Sequence, residues 1–416
     1  MPRRTNDREA LASAAMAEDR SPLVPRLEGY GRDSVDARRR WVEERTGAAL
    51  PLVGAHALDS EKMRGKIENA IGAVQMPLGV AGPLLVLGEH ARGTYYVPLA
   101  TTEGALVRSY ERGMVVLTRA GGVKVRIWLD ENRVAPVFVL ADVDEAREFA
   151  REVLAAFDAI RAEAEATTHH GRLLRLECHP IGREVIIDFR YHTADAQGMN
   201  MAVKATDRAC RWILEHTRAK EFHIFSGYDS EKRASGTLFV GGKGKRVTAG
   251  ARLPAATTRA YLHAEPRQIA AMWRRTLLGH VQAAALGYNG HFANGLTALF
   301  IACGQDVANV TNSAVGITSF EVEPDGALYA SVTLHALSVA TVGGGTGLGT
   351  SRECLAMLGC AGADAEGGAA KLAEIAAATL LAGELSMGAA IAAGELSAAH
   401  DQYGRNRPER EPGGAG

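Results

Sequence analysis

Between Phe138 and Phe225, six consecutive segments show the hydrophobic period of either a strand or a helix. Their order restricts the fold of this chain more than any other feature. The pattern predicts a strand for VFVLA, one long amphipathic helix for DVDEAREFAREVLAAFDAIRAEAEA, and two strands for RLLRLECHP and REVIIDFRY. A second helix follows for GMNMAVKATDRACRWILEHT, and a last strand for EFHIF. The order β-α-β-β-α-β is that of the ferredoxin-like arrangement, which we predict for this region.

The length and the charge balance limit the classes of protein to which the chain can belong. With 416 residues it can form two or three domains around a sizeable core. Lys and Arg number 47 and Asp and Glu number 48, so nothing favours nucleic-acid binding or a polybasic membrane contact. The first twenty residues carry scattered acids and do not resemble a signal peptide, and no run of about 18 apolar residues occurs. We therefore expect a soluble protein.

The cysteines indicate a reducing compartment. There are five of them, an odd number, and none forms a CxxC pair. This usage predicts a cytoplasmic protein without a disulfide framework and without a zinc site.

An apolar run that ends on an acid stands out in the stretch from Gly287 to Asp306, GYNGHFANGLTALFIACGQD. We expect LTALFIACG to be buried as a helix or strand. A carboxylate at the end of such a segment is costly to bury without a charged or polar partner. Asp306 is therefore either the start of a proton network or the capping acid of a core segment.

Two helix ends carry further ionisable candidates. TTEGALV is expected to begin a helix, with Thr101 or Thr102 as its cap and Glu103 in its first turn, where an acid also suits the helix dipole. A helix over residues 368–399 repeats AGELS at an offset of eleven residues, which places both Gly-Glu pairs on one face and favours close packing. His400 ends this helix.

The familiar nucleotide and hydrolase motifs are missing from the sequence. The glycine-dense stretch VATVGGGTGLGT contains no GxGxxG, and GxxxxGK[ST], HExxH and GxSxG do not occur. Other motifs do match a known pattern: ENAIGAVQMPLGVAGP, PLATTEGALV, DAQGMNM, GYNGHFANGLTALFIACGQD, TVGGGTGLG and AGELS…AAGELSAAH follow one another in the order of one family. From about residue 67 to residue 405, the chain resembles the 3-hydroxy-3-methylglutaryl-CoA (HMG-CoA) reductases, in particular the NADPH-using class.

The resemblance implies an α+β fold with an insertion. A large mixed α/β domain for acyl-CoA binding is expected over residues 67–136 and 227–403, with an inserted ferredoxin-like NADP(H)-binding domain at 137–226. An N-terminal helical region (1–66) and a mobile tail (404–416) complete the chain. The family forms dimers, or dimers of dimers, with active sites at the subunit interface, and the loop 68–83 suits such a contact.

The resemblance also implies a catalytic set, which is Glu103, Lys232, Asp306 and His400. Lys232 offers a cation where the carbonyl oxygen becomes an oxyanion, and Glu103 supplies a proton, with Asp306 linking the two. His400 protonates the departing CoA thiolate. These roles suit the reduction of HMG-CoA to mevalonate and CoA, which needs two hydrides and therefore two NADPH.

The binding residues implied by the family pattern fall into two groups. The nucleotide group is Asp195, Gln197, Gly198, Met199, Asn200, Met201 and Arg405. The substrate group is Arg133, Ser226, Arg233, Arg275 and Asn294. The family pattern contains no metal site.

Several positions depart from the family pattern and bear on the substrate. GHVQAAA stands where the family has GSAxAGS, so His280 replaces a small hydroxyl residue, and Arg133 is one place out of register with a substrate-binding arginine. Glu231 and Arg233 replace the usual Asp and Lys beside Lys232. A reductase of a related 3-hydroxyacyl-CoA, or a catalytically silent binding homologue, are the alternatives.

Overall fold

The computed structural model describes residues 24–25, 29–168, 170–361 and 367–395. Those of the described residues that lie before Met76 form one compact unit, and those from Met76 to Glu395 form another. In the first unit, helices α1 (Arg32–Thr46) and α2 (Pro51–Gly54) and a 3-10 helix (Ser60–Met63) accompany a small apolar cluster of Val35, Met63 and Ala70.

The second unit contains the remaining strands and helices. Its described strands are β1 (Leu78–Leu87), β2 (Arg92–Ala100), β3 (Val123–Val134), β4 (Val137–Val139), β5 (Arg172–Ile181), β6 (Glu184–His192), β7 (Glu221–His223), β8 (Gly244–Leu253), β9 (Gly316–Val322) and β10 (Leu328–Leu337). Its described α-helices are α3 (Leu106–Arg119), α4 (Val143–Ala155), α5 (Phe157–Glu165), α6 (Met199–His216), α7 (Ala255–Leu262), α8 (Pro266–Gln282), α9 (Phe292–Ala302), α10 (Val310–Ser313), α11 (Gly349–Met357) and α12 (Gly368–Ala393).

Strand β3 belongs to both halves of one connected sheet. Most of its length pairs with β8 in the order β3-β8-β10-β9, and β1 and β2 join beside it. Its last residues, Asn132 to Val134, pair instead with β6. The described strand pairs are antiparallel except for the short contact between β1 and β3. The architecture is therefore a mixed arrangement of helices and a mainly antiparallel sheet.

The smaller half of the sheet is built from the segments that the periodicity singled out. Its strands run β7-β4-β6-β5, and β6 is buried from Val185 to Tyr191 because it lies between neighbours on both sides. The single long helix expected after β4 is two helices, α4 and α5, which meet at Ala156 (φ −88°, ψ 14°). Asp142 caps α4 by accepting the backbone N–H groups of Asp144 and Glu145.

Helix α12 is the core of the larger half. It is long and apolar enough to cross a membrane, but 83% of its most apolar window is buried inside the fold, as in the core helix of a soluble protein. Its small residues permit close approach, since a Cβ on Gly113 of α3 would overlap the backbone of Ala382. The helix ends at Ala393 because Gly394 turns left-handed (φ 75°), so the expected end at residue 399 was wrong.

Candidate active site

Lys232 and Asp306 form an ion pair, with 2.9 Å between Nζ and Oδ2. Lys232 lies in the loop after β7 with a positive φ of 55°, and Asp306 follows α9. The hydrogen bond that Lys232 donates to Asp306 is the main cause that raises the pKa of Lys232, so the ammonium form is stabilised. The Asp306 side chain also accepts the N–H of Ala308 and caps the 3-10 helix Val307–Asn309.

The environment of Asp306 differs from the expectation in one respect. The apolar run before it is indeed a buried helix, α9, with Leu296 and Phe300 inaccessible to solvent. Asp306 itself is 39% exposed, so the expectation of a buried acid was wrong for the single chain. Gln305, the residue before it, is still buried, and its amide donates to the carbonyls of Cys303 and Ala340, so exposure begins only at the Asp306 side chain.

Glu103 lies in a turn between β2 and α3 rather than inside the helix. Ala105, with a φ of 70°, occupies the N-cap position, and no side chain caps α3. The expected cap by Thr101 or Thr102 was therefore wrong, because Thr101 Oγ1 instead accepts the backbone N–H of Glu103 (3.0 Å). The Asn294 amide donates to Glu103 Oε1 at 3.3 Å, so the structure brings these two expected site residues together.

The two pairs lie at opposite ends of α9. Asn294 is in the first turn of this helix, whereas Asp306 lies beyond its last residue, Ala302. Asn294 and Ala302 are separated by eight steps along the chain, which correspond to about 12 Å along the helix axis. Within one chain, Asp306 therefore contacts Lys232 but not Glu103.

Buried Glu384 of α12 fixes the entry into α9. Its carboxylate accepts the backbone N–H groups of Gly290 and His291, both at 2.7 Å, and the hydroxyl of Thr318, also at 2.7 Å. Asn289 Oδ1 accepts the N–H of Phe292 at the helix start. Sequence reasoning missed this role. The available signal was a glutamate within an otherwise alanine-rich helix, because a buried carboxylate must find donors.

Arg133 supports the loop that carries Lys232 instead of facing an open site. It is 1% exposed, and its guanidinium donates to the carbonyls of Tyr228 (2.8 Å) and Asp229 (3.1 Å) and to Thr237 Oγ1 (3.1 Å). The ion pair with Asp188 occupies another nitrogen. Arg133 therefore stays a prediction as a substrate-binding residue, and in the single chain its guanidinium is engaged by this loop and by Asp188.

The other expected substrate residues lie in accessible or loop-forming positions. Ser226 shapes the loop by donating to the carbonyl of Ala135 (2.6 Å) and accepting the N–H of Tyr228. Arg233 is exposed and lies over the ring of Phe225, and Arg275 is exposed on α8. His280, the residue that departs from the family pattern, lies 3.1 Å from the carbonyl of Gly287 through Nδ1.

The expected nucleotide segment begins helix α6. Gly198 takes the left-handed N-cap position (φ 71°), and a Cβ there would overlap Thr193. No side chain caps the helix, so the N–H groups of Met199, Asn200 and Met201 are not satisfied by a cap, and such groups suit an anionic phosphate.

Two other members of the segment make contacts elsewhere in the fold. The Asp195 carboxylate accepts the N–H groups of Gly367 and Ala369 at the start of α12, and the carbonyl of Gln197 accepts the side-chain amide of Asn132. Asp195 is therefore committed to the core helix. His400 and Arg405, expected for acid catalysis and for nucleotide binding, lie outside the described residues.

One group of side chains has the composition of a metal site. Glu177, His179 and Asp188 each bring one ligand atom within 4.8 Å of the others. Arginines already neutralise both carboxylates, since Arg190 lies 2.7 Å from Asp188 Oδ2 and Arg175 pairs with Glu177. This positive charge makes a metal cation costly at that position.

Comparisons with known proteins agree with the motif pattern. The family model described as hydroxymethylglutaryl-coenzyme A reductase matches residues 34–405. The 3-hydroxy-3-methylglutaryl-coenzyme A reductase of Haloferax volcanii is 42% identical over 375 residues, which cover 89% of this chain and 93% of the relative. The reductase of Methanothermobacter thermautotrophicus is 42% identical over 378 residues, or 90% of this chain and 94% of the relative.

Solved structures show the same fold at lower sequence identity. The 3-hydroxy-3-methylglutaryl-coenzyme A reductase of Streptococcus pneumoniae is similar with a TM-score of 0.64 and 18% identity, covering 88% of this chain and 98% of that one. A structure of the class II enzyme from this organism, bound to NADPH in open conformations, has a TM-score of 0.62 with the same coverage.

Proposed function

Because the chain belongs to the hydroxymethylglutaryl-coenzyme A reductase family, we propose that it reduces HMG-CoA to mevalonate and CoA with two molecules of NADPH. The structural observation that carries this proposal is the Lys232–Asp306 ion pair. It places a stabilised ammonium group on a loop, beside a carboxylate that can hold it in position. Such a cation is what a thioester carbonyl needs as its oxygen becomes negative.

The reaction proceeds through two reductions of the same carbon. In the first, a hydride and a proton convert the thioester into a hemithioacetal. Its hydroxyl proton then returns to Glu103 as the C–S bond breaks and releases CoA thiolate and the aldehyde. In the second, another hydride and proton convert the aldehyde into the primary alcohol. Lys232 stabilises the oxyanion in both steps, and Glu103 is the proton donor to that oxygen. His400 protonates the thiolate, which otherwise adds back to the aldehyde.

NADPH supplies the two hydrides when it is bound. The residues that would hold it are those at the N-terminus of α6, from Gly198 to Met201, whose backbone N–H groups suit an anion. Arg405 is assigned to the ribose 2′-phosphate, for which a guanidinium is well suited. Asp195 contributes by fixing this segment to α12.

We assign residues 137–226 to an inserted ferredoxin-like NADP(H)-binding domain, and residues 67–136 and 227–403 to the substrate domain. The strand order β7-β4-β6-β5, with helices α4 and α5 connecting β4 to β5 and helix α6 connecting β6 to β7, supports this division. A separate apolar core that includes Phe138, Phe149 and Phe189 also supports it. Residues 1–66 are assigned to an N-terminal helical region and 404–416 to a tail.

The complete site is assembled from two subunits of a homodimer or of a tetramer built from dimers. The separation of Glu103 from Lys232 and Asp306 along α9 supports this arrangement, because one chain alone leaves the proton donor away from the cation. The expected interface loop 68–83 is a loop only up to Pro77, because β1 begins at Leu78. Met76, before this strand, and Leu78 and Val80, at its start, are exposed apolar residues in that segment. The protein acts in the cytoplasm.

Arg133 and His280 favour one alternative, the reduction of a related 3-hydroxyacyl-CoA. The guanidinium of Arg133 is buried and engaged by protein groups, and His280 replaces a small residue. The test is product analysis after incubation with NADPH and either HMG-CoA, 3-hydroxybutyryl-CoA or 3-hydroxyglutaryl-CoA. Mevalonate formed with the highest kcat/KM supports the proposal. A higher kcat/KM for another thioester would assign the alternative substrate, and turnover of none would indicate a binding homologue.

A further inference from the structure

Lys243 is a buried cation, like Arg133, and has no assigned role. It lies next to the loop 227–235, which carries Lys232 and is called the catalytic loop below. Lys243 is fully buried, and its ammonium group forms an ion pair with Glu231, the residue immediately before Lys232. The same nitrogen lies 3.2 Å from Met199 Sδ, at the first residue of α6. One side chain therefore contacts both the loop that presents Lys232 and the segment proposed to bind the nucleotide.

The local sequence explains how a lysine reaches this position. Lys243 lies within GGKGK, between a 3-10 helix (Gly236–Val240) and β8. Gly241, Gly242 and Gly244 all have positive φ values (108°, 97° and 72°). A Cβ on Gly242 would overlap the Arg190 guanidinium, and one on Gly244 would overlap the backbone of Leu337. This tight, glycine-dependent path holds the Lys243 backbone inside the fold, where its side chain has little freedom.

The charges around Lys243 make the Glu231 contact specific. Burial is the largest influence on Lys243 and lowers its pKa, whereas Glu231 and, more weakly, Asp229 favour the charged form. Arg133, the other cation that holds this loop, opposes it. A buried ammonium group requires its counter-ion, so displacement of Glu231 is costly and the loop is held close to α6.

We propose that Lys243 is a positioning residue that joins the nucleotide-binding segment at Met199 to the catalytic loop through Glu231. Hydride transfer requires the cofactor and the oxyanion-stabilising group to hold a fixed distance from the same carbonyl, and a small displacement lowers the rate strongly. Lys243 would fix that distance through Glu231 and Met199, without contacting the reacting atoms itself. This inference rests on the proposed function, because it assumes a nucleotide at the start of α6.

The first test is independent of catalysis and uses amide hydrogen exchange of the full-length protein with and without NADPH. In the wild type, NADPH is expected to slow exchange both at residues 195–201 and in the loop 227–235. In Lys243→Met, protection at 195–201 should persist while the added protection of the loop is lost. Unchanged loop protection in this variant would overturn the inference.

The second test is kinetic and has a matched control. Lys245, two residues further along, is also buried and pairs with a carboxylate, Asp130, at 2.6 Å, but no described contact joins it to the loop. Lys243→Met should lower kcat on the order of 10- to 100-fold, with little change in either KM, and raise the primary isotope effect with deuterated NADPH. Lys245→Met should leave the isotope effect unchanged. Equal isotope effects in both variants would reduce Lys243 to a structural residue.

A third variant covers the case in which Lys243→Met does not fold. Glu231→Gln breaks the same ion pair from the loop side and must also abolish the loop protection by NADPH, or the inference fails. The proposed function and the positioning role of Lys243 can also be refuted independently of each other. If the wild type binds NADPH but does not reduce HMG-CoA, the proposed function is wrong, while the exchange experiment still judges the link through Lys243.

Discussion

The Lys232 ammonium and the Asp306 carboxylate meet at 2.9 Å although 74 residues separate them in the sequence, and each is held by its own local structure. Asp306 is fixed by capping a 3-10 helix, and the Lys232 loop is fixed by the buried guanidinium of Arg133. The pair is therefore prepared before substrate arrives, as oxyanion stabilisation requires.

Replacing Lys232 by Ala should lower turnover on the order of 10² to 10³ and leave NADPH binding intact, because one oxyanion-stabilising donor is lost. Steady-state kinetics and NADPH fluorescence titration measure the two effects. Lys124→Ala, at an exposed lysine of β3, is the control and should behave as the wild type. Near-normal turnover of the Lys232 variant would show that this lysine does not take part in the reaction.

Asp306→Asn should move the alkaline limb of the kcat/KM profile to lower pH. The Asp306 hydrogen bond raises the pKa of Lys232, so its loss lets the ammonium deprotonate at lower pH. Asparagine still caps the helix at Val307, so the backbone should not change.

The raised pKa of Lys232 also makes the free energy of unfolding depend on pH. A group whose pKa is raised by folding contributes stability below its unfolded pKa, and that contribution disappears as the pH rises through the folded value. The pair is roughly half exposed, so this contribution is small.

In the kcat/KM experiment, an alkaline limb at the same pH in the wild type and in Asp306→Asn would contradict the assignment of that limb to Lys232.

A mixed dimer of two inactive variants should recover activity. In a heterodimer of Glu103→Gln and Lys232→Ala chains, one of the two interfacial sites receives both wild-type residues, and the other receives neither. Co-expression with two different affinity tags isolates this species, which should show about half of the wild-type activity per dimer. A heterodimer as inactive as its parents would show that Glu103 and Lys232 act within one chain.

Glu384→Ala should destabilise the fold by about 2 kcal/mol, because three donors, one of them the buried hydroxyl of Thr318, lose their shared acceptor. Glu395, in the second AGELS copy, is the control. Its side chain is 40% exposed and pairs with Arg112 and His263, so its replacement by Ala should cost less than about 1 kcal/mol. Calorimetric melting of both variants measures the free energy of unfolding that each one loses. Equal losses would mean that Glu384 does not hold the entry to α9.

Periodicity was a good guide to the segments between β4 and β7. Their boundaries follow from alternation in the strands and from the amphipathic spacing in the helices. The break at Ala156 could not be anticipated, because the amphipathic pattern continues through it from α4 to α5. The family, too, followed from the ordered motifs and is confirmed by relatives at 42% identity.

Sequence motifs say less about distances and directions. GYNGHFANGLTALFIACGQD carries both Asn294 and Asp306, but only the helix geometry of α9 shows that its ends serve different contacts. The contacts of Arg133 with the carbonyls of Tyr228 and Asp229 could not be inferred from its strand, because these residues lie far along the chain. The exposure of Asp306 could not be inferred from the apolar run, because burial continues through Gln305 and ends at the next residue.

The most direct test of the account is the stoichiometry of NADPH consumption against CoA release. Purified protein is incubated with limiting HMG-CoA and excess NADPH, and absorbance at the nicotinamide band is compared with free thiol measured by a chromogenic disulfide. Two reductions of one carbon predict two NADPH oxidised for each thiol released, with mevalonate as the product. One NADPH per thiol with accumulating aldehyde, or thiol release without NADPH oxidation, would contradict the account.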